Sequence, residues 1–201
     1  SGKYLETAEH LFQQQNELQR AMLIHQLCHP MDDVVDKNKA AEDWLKEGLR
    51  LQHSGLNQGA VDAYKVAISF KRTFPDAYYN MGIAYGSLED SGVNILDHAL
   101  GAFKQSVRLG PNFVHGYVAL GAIYIKKGDY TEAIDTLNRA KLVDPKESNI
   151  YYYVGVACRA MRDFENAVAS LQQAVSLKPN SVQMQFSLGL ALMDCGKYRG
   201  A

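Results

Sequence analysis

Five glycines, Gly48, Gly82, Gly121, Gly155 and Gly189, recur at intervals of 34, 39, 34 and 34 residues. Four residues before the first four stand Trp44, Tyr78, Tyr117 and Tyr151, and three residues after them Leu51, Tyr85, Tyr124 and Cys158. Offsets of three and four place large, small and large residues on one helical face. A second series, Ala60, Ala99, Ala133, Ala167 and Ala201, stands a constant 22 residues before each following glycine. A fixed period of this size predicts one supersecondary unit used again and again, each copy burying its apolar face against the next.

The constant 22-residue step assigns the five extra residues of the long interval to the connection between Gly82 and Ala99, "GSLEDSGVNILDH". This insertion reads either as a partner-contacting loop or as a lengthened turn. Four residues after each alanine come Tyr64, Phe103, Leu137 and Leu171, and three further on Ala67, Ser106, Ala140 and Ala174, which predicts a second amphipathic helix. Pro111, Pro145 and Pro179 fall where a ring without an N–H ends that helix. In the first unit Arg72 takes that place and Pro75 follows, so its second helix is expected to run almost one turn longer.

These residues carry a resemblance. Trp44-x3-Gly48-x2-Leu51 followed by Ala60-x3-Tyr64-x2-Ala67 is similar to the tetratricopeptide repeat, a 34-residue helix–turn–helix unit, and Tyr117 to Pro145 matches it at nearly every site. The resemblance covers about residues 41–201: four repeats (41–74, 75–113, 114–147, 148–181) and a fifth, 182–201, that stops as its second helix should begin. It implies an all-α fold, a right-handed solenoid of stacked helix pairs with an extra N-terminal helix. Small residues at the helix contact let paired axes come within about 8 to 10 Å while their neighbours fill the remaining space.

The resemblance also implies that each first helix lines a concave groove, at the positions three before, one after and four after its glycine. These are Leu45, Leu49 and Gln52; Tyr79, Ile83 and Gly86; Val118, Ala122 and Ile125; Tyr152, Val156 and Arg159; Phe186, Leu190 and Met193, with Asn80 and His115 beside them. Most are apolar, so an apolar groove is expected to take a partner helix or extended peptide, with Tyr79, Tyr152 and Phe186 as anchors. The competing reading packs some of these side chains between repeats or fills the groove from the chain itself. Co-chaperone repeats of this family clamp a terminal carboxylate with Lys, Asn and Arg. Here only Asn80 matches, while Leu45, Leu49, His115 and Ala119 occupy clamp sites, which excludes an acidic-tail clamp. The asparagine ladder of glycosyltransferase-associated repeats is missing too: its positions hold Lys46, Asn80, Ala119, Tyr153 and Ser187. In the run Tyr151-Tyr152-Tyr153, helical geometry sends Tyr151 to the core, Tyr152 to the groove and Tyr153 to its flank.

Residues 4–28 carry a helical apolar stripe (Leu5, Ala8, Leu11, Phe12, Leu18, Met22, Leu27), broken at Pro30. "MDDVVDKN" reads as a linker, with Asp36 or Asn38 capping the helix of Trp44. Residues 1–40 are read as a cap or degenerate repeat; the sharper alternative is a ligand for a neighbour's groove, which would make a homo-oligomer.

His25, Cys28 and His29 share one helical turn but fall one ligand short of a closed tetrahedral site, and Cys28, Cys158 and Cys195 form no CxxC pair. No metal or other cofactor is expected. Nucleophile-elbow, zincin and phosphate-loop motifs are missing from the sequence, which points away from an enzyme. A formal charge of −1 offers no general attraction to nucleic acid or anionic membrane. No apolar run reaches the roughly 18 residues of a membrane span, and no secretory signal opens the chain, although Ser1-Gly2 looks like a cloning remnant. The expectation is a soluble cytoplasmic scaffold or adaptor that binds protein. The alternatives are a self-assembling scaffold using the N-terminal helix, and the regulatory fragment of a larger enzyme whose catalytic domain follows Ala201.

Overall fold

The computed structural model describes residues 34–88 and 93–199. Among these, all regular structure is helical, in nine helices: α1 (Val34–His53), α2 (Asn57–Phe70), α3 (Pro75–Gly86), α4 (Val93–Leu109), α5 (Val114–Lys127), α6 (Tyr130–Val143), α7 (Ser148–Ala160), α8 (Phe164–Leu177) and α9 (Val182–Arg199). The chain divides into two compact units, Ser1–Leu109 and Gly110–Ala201.

In the first unit α1 packs on α2 and α3 on α4, and the two pairs meet through α2–α3 and α1–α3 contacts. In the second, α5 pairs with α6 and α7 with α8, and α9 packs on α8 and α7. Helix–turn–helix pairing is the class the repeat predicts.

The glycine–alanine register sets how closely each pair approaches. A Cβ built on Gly82 would stand 2.6 Å from Phe103 Cε1, and one on Gly121 2.7 Å from Leu137 Cγ. At Gly155 it would stand 2.5 Å from Leu171 Cγ, and at Gly48 it would run into the Tyr64 ring. The large residue four places after each alanine therefore occupies the room its glycine leaves. Ala60, Ala99, Ala133 and Ala167 are fully buried. Ser106 takes an alanine's place in α4 because its buried hydroxyl donates to the Pro75 carbonyl at 2.9 Å, which offsets the cost of burying it.

A second buried stripe lies five residues before and two after the glycine. Ala77 joins Ala41, Ala67 and Phe74, and Ala84 joins Leu51, Val61 and Tyr64 in the cores of the first unit. In the second unit Ile150 packs with Leu137 and Ala140, and Ala191 with Cys158, Ala167 and Leu171. These residues tie each pair to the one before it. In α1 the same two register positions hold exposed Asp43 and Arg50, paired with Lys46 at 3.3 Å and Glu47 at 2.6 Å. The Arg50 guanidinium bonded to Glu47 holds that carboxyl below the usual range.

Three expectations are corrected. The second helix of the first repeat does not run longer. It ends at Phe70 in step with the others because Lys71 is extended, and Pro75 instead opens α3, where its missing N–H costs nothing. Asp36 and Asn38 are not caps: both lie inside α1, which is already helical at Val34, and Ala40 and Ala41 are buried. The insertion does not lie wholly in a turn, since the chain is already helical at Val93, six residues before Ala99, whereas α2, α6 and α8 start three before their alanines. The N-terminal helix of residues 4–28, the cluster His25, Cys28 and His29, and residues 89–92 of the insertion lie outside the described residues.

Candidate interaction surface

The first helices present the expected positions as follows. In the first unit Leu45, Leu49 and Gln52 on α1 and Tyr79, Asn80 and Ile83 on α3 are all half-buried, while Gly86 is exposed. Leu45 also packs against both cores of this unit. The Gln52 carboxamide oxygen accepts from the Tyr64 hydroxyl at 2.7 Å, and Asn80 Nδ2 donates to the Asp76 carbonyl at 2.9 Å. The Tyr79 ring lies 6.0 Å from that of Phe103, tilted by 56°, and its burial raises the phenol above its ordinary range.

In the second unit Val118, Ala122 and Ile125 on α5 and Tyr152, Val156 and Arg159 on α7 are half-buried, and His115 is exposed with its ring edge-on to Phe113 at 6.1 Å. Val118 packs on the cluster of Leu137, Ala140 and Ile150, and Tyr152 on that of Cys158, Ala167 and Leu171. On α9, Leu190 is half-buried, but Phe186 is 67% and Met193 59% exposed. The three neighbouring tyrosines do not take three separate directions: Tyr151 and Tyr153 both pack, half-buried, on the cluster of Leu137, Ala140 and Ile150. Tyr151 donates its hydroxyl to the Pro145 carbonyl at 2.9 Å and carries Lys141 Nζ 5.2 Å above its ring, while Tyr152 and Tyr153 meet edge to face at 5.0 Å.

Two α9 residues that sequence reasoning passed over polarise this surface. Gln183 Nε2 donates to the Tyr152 hydroxyl at 2.9 Å, and Arg159 Nε donates to Asp194 Oδ2 at 2.7 Å. The only signal for them was their distance of one repeat, 31 and 35 residues, from their partners. Both units thus present apolar patches edged by fixed amides, hydroxyls and one ion pair. Among the described residues no three His, Cys, Asp or Glu side chains gather as metal ligands, and no helix is long and apolar enough to cross a membrane.

The TPR-repeat family profile matches residues 48–88, and the tetratricopeptide-repeat profile matches residues 114–147 and 148–181, together more than half of the chain. The chain belongs to the tetratricopeptide-repeat family. Superkiller protein 3 of Schizosaccharomyces pombe is 27% identical over 86 residues, which are 43% of this chain and 6% of that protein's length. This tetratricopeptide-repeat chain therefore spans a small part of that relative. Among solved structures, MamA from residue 41 to its end, from Desulfovibrio magneticus RS-1, superposes with a TM-score of 0.68 at 23% identity, over 80% of this chain and 88% of that one. A thermophilic TPR protein of Thermus thermophilus superposes with a TM-score of 0.64 at 18% identity, over 90% and 99%. At these identities the likeness is one of fold. Tetratricopeptide repeats are in general protein-interaction modules rather than catalysts.

Proposed function

We propose that this chain is a non-enzymatic adaptor that holds a partner helix or extended peptide against the first-helix faces of its repeats. The observation that carries the reading is the exposure of Phe186 and Met193, two large apolar side chains on the α9 face that continues the row of Tyr152 and Val156. Leu45, Leu49, Tyr79 and Ile83 give the first unit a patch of the same character, with Asn80 and Gln52 at its edge. In the second unit Val118, Ala122, Ile125 and Leu190 extend it, and His115 and Arg159 supply polar ends. Large apolar and aromatic anchors inside a polar rim are the composition that concentrates binding energy. Cys158 and Cys195 are free and buried, which fits a reducing compartment such as the cytoplasm.

The test places a photo-crosslinking amino acid at Phe186 and, in a separate chain, at exposed Gln172 on α8. A protein captured from position 186, not from 172, and lost when Tyr79→Ala and Tyr152→Ala are combined supports the reading. Equal capture from both positions sinks it.

A further inference from the structure

The two helices of the first pair differ on the side that a preceding pair would cover. On α1 it is charged and open: the Asp43 and Arg50 side chains are 59% and 62% exposed and hold Lys46 and Glu47 as partners. On α2 it is apolar and closed. Val61 and Ile68 of α2 pack toward α3 residues and Phe74, and helical geometry puts the row of Ala63, Val66 and Phe70 on the far side from them. Val66 is 9% exposed although it stands outside both cores described for this unit. The repeat itself does not ask for such a row. At the place of Val66 the later second helices carry half-buried Gln105 and exposed Arg139 and Gln173, and at the place of Ala63 α6 and α8 carry Thr136 and Ser170.

We infer that residues 4–28 of this same chain dock as one helix along that row of α2, with the stripe of Leu11, Phe12, Leu18 and Met22 against Ala63, Val66 and Phe70. An apolar stripe is repelled by the charges of α1 and matched by α2. The chain also reaches. The short turn 54–56 makes α1 and α2 antiparallel, so the start of α1 lies beside the end of α2, and residues 29–33 need only form a turn about as long as residues 71–74, which join α2 to α3. At about 1.5 Å per residue the 14 residues of α2 span about 21 Å, well within the length of the segment. The segment then closes the array as a single helix rather than a repeat. It leaves Leu45, Leu49, Tyr79 and Ile83 open to a partner, and because the two proposals concern different faces they fail independently.

The test replaces Phe12 in the whole 201-residue chain by the photo-crosslinker benzoylphenylalanine and maps the products by mass spectrometry. Cross-links within one chain to residues 59–70 are expected, and few from the same group at Glu17, which falls on the opposite side of the helix. Hydrogen exchange gives a second readout without a cross-linker. Phe12→Asp should speed exchange of the α2 amides at least about tenfold while leaving those of α8 within about twofold. Val66→Ser should do the same, and the two changes together should add little to either alone, as expected of residues in contact. Cross-links from position 12 into residues 45–52 or 79–86 overturn the proposal, since the segment would then fill the first-helix face. So do cross-links between chains, which make the occupant a second copy, equal yields from positions 12 and 17, no cross-link at all, or α2 amides indifferent to Phe12→Asp.

Discussion

The ring of Tyr64 on α2 stands where Gly48 on α1 would carry a side chain, and its hydroxyl donates to Gln52 one turn further along α1 at 2.7 Å. One side chain thus sets the approach of a helix pair and fixes a polar residue at the edge of the candidate surface. Phe103, Leu137 and Leu171 do the packing half of this task without the hydrogen bond. The core and the candidate surface are therefore built by adjoining faces of the same first helices, and Leu45, Val118 and Tyr152 touch both.

The same substitution should have opposite signs at two of these glycines. Gly121→Ala puts a methyl against the branched Cγ of Leu137, which cannot swing away without moving α6, and should cost about 1–3 kcal/mol of stability. Gly189→Ala meets nothing and should gain about 0.5–1 kcal/mol from helix propensity alone. Urea unfolding of both variants checks this. Equal effects at the two positions would contradict the packing described here.

Alkaline pH should unfold the protein partly through Tyr64. Burial raises its phenol above the unfolded value of about 10, so the folded state holds its proton more tightly. The stability this contributes is complete below about pH 10 and is lost as pH rises toward the folded value. Tyr64→Phe should lose about 1 kcal/mol at neutral pH with its hydrogen bond to Gln52, yet decline less steeply than the wild type above about pH 10. Parallel decline of the two proteins would remove Tyr64 from the transition.

Much of this architecture was legible because it is written in recurring residue types. Glycine, alanine and the large residue four places later recur since backbone approach tolerates nothing else there. The second buried stripe was not legible. Its members, Ala77, Gly116, Ile150 and Met184 in one row, share burial but neither size nor shape, so no recurring residue type marks it. The start of α1 was misread because Asp36 and Asn38 are good caps in isolation, and only the burial of Ala40 and Ala41 shows the helix already under way. Gln183 and Asp194 escaped because a polar residue announces no partner until α7 and α9 stand side by side.

The Arg159–Asp194 pair should contribute little to stability. Its geometry is good at 2.7 Å, but the side chains are 38% and 30% exposed, so water and salt compete for both charges. A double-mutant cycle with Arg159→Ala and Asp194→Ala should give a coupling of about 0.2–1 kcal/mol that shrinks in about 0.5 M salt. A salt-independent coupling above that range would mean that the pair is shielded from solvent in a way its exposure does not show.

The turn between α7 and α8 offers the last test. Gly55, Gly128 and Arg162 stand seven residues after their repeat glycines, and all three have positive φ, at 77°, 85° and 63°. Each turn closes with the same bond: Leu56 N–H to the Leu51 carbonyl, Asp129 N–H to Tyr124 and Asp163 N–H to Cys158, all at 2.9 Å. That six-to-one bond requires a left-handed residue just before the donor. Glycine takes this conformation freely, whereas a side chain with a Cβ is strained in it by about 1–2 kcal/mol. Arg162→Gly should therefore stabilise the second unit by about 1 kcal/mol after the larger backbone entropy of unfolded glycine is subtracted. The exposure of Arg162 means that no packing is lost. Arg162→Val, which is β-branched, should destabilise at the same position. Thermal melts of the two variants that move together, or in the reverse order, would show that the turn does not hold residue 162 left-handed in solution.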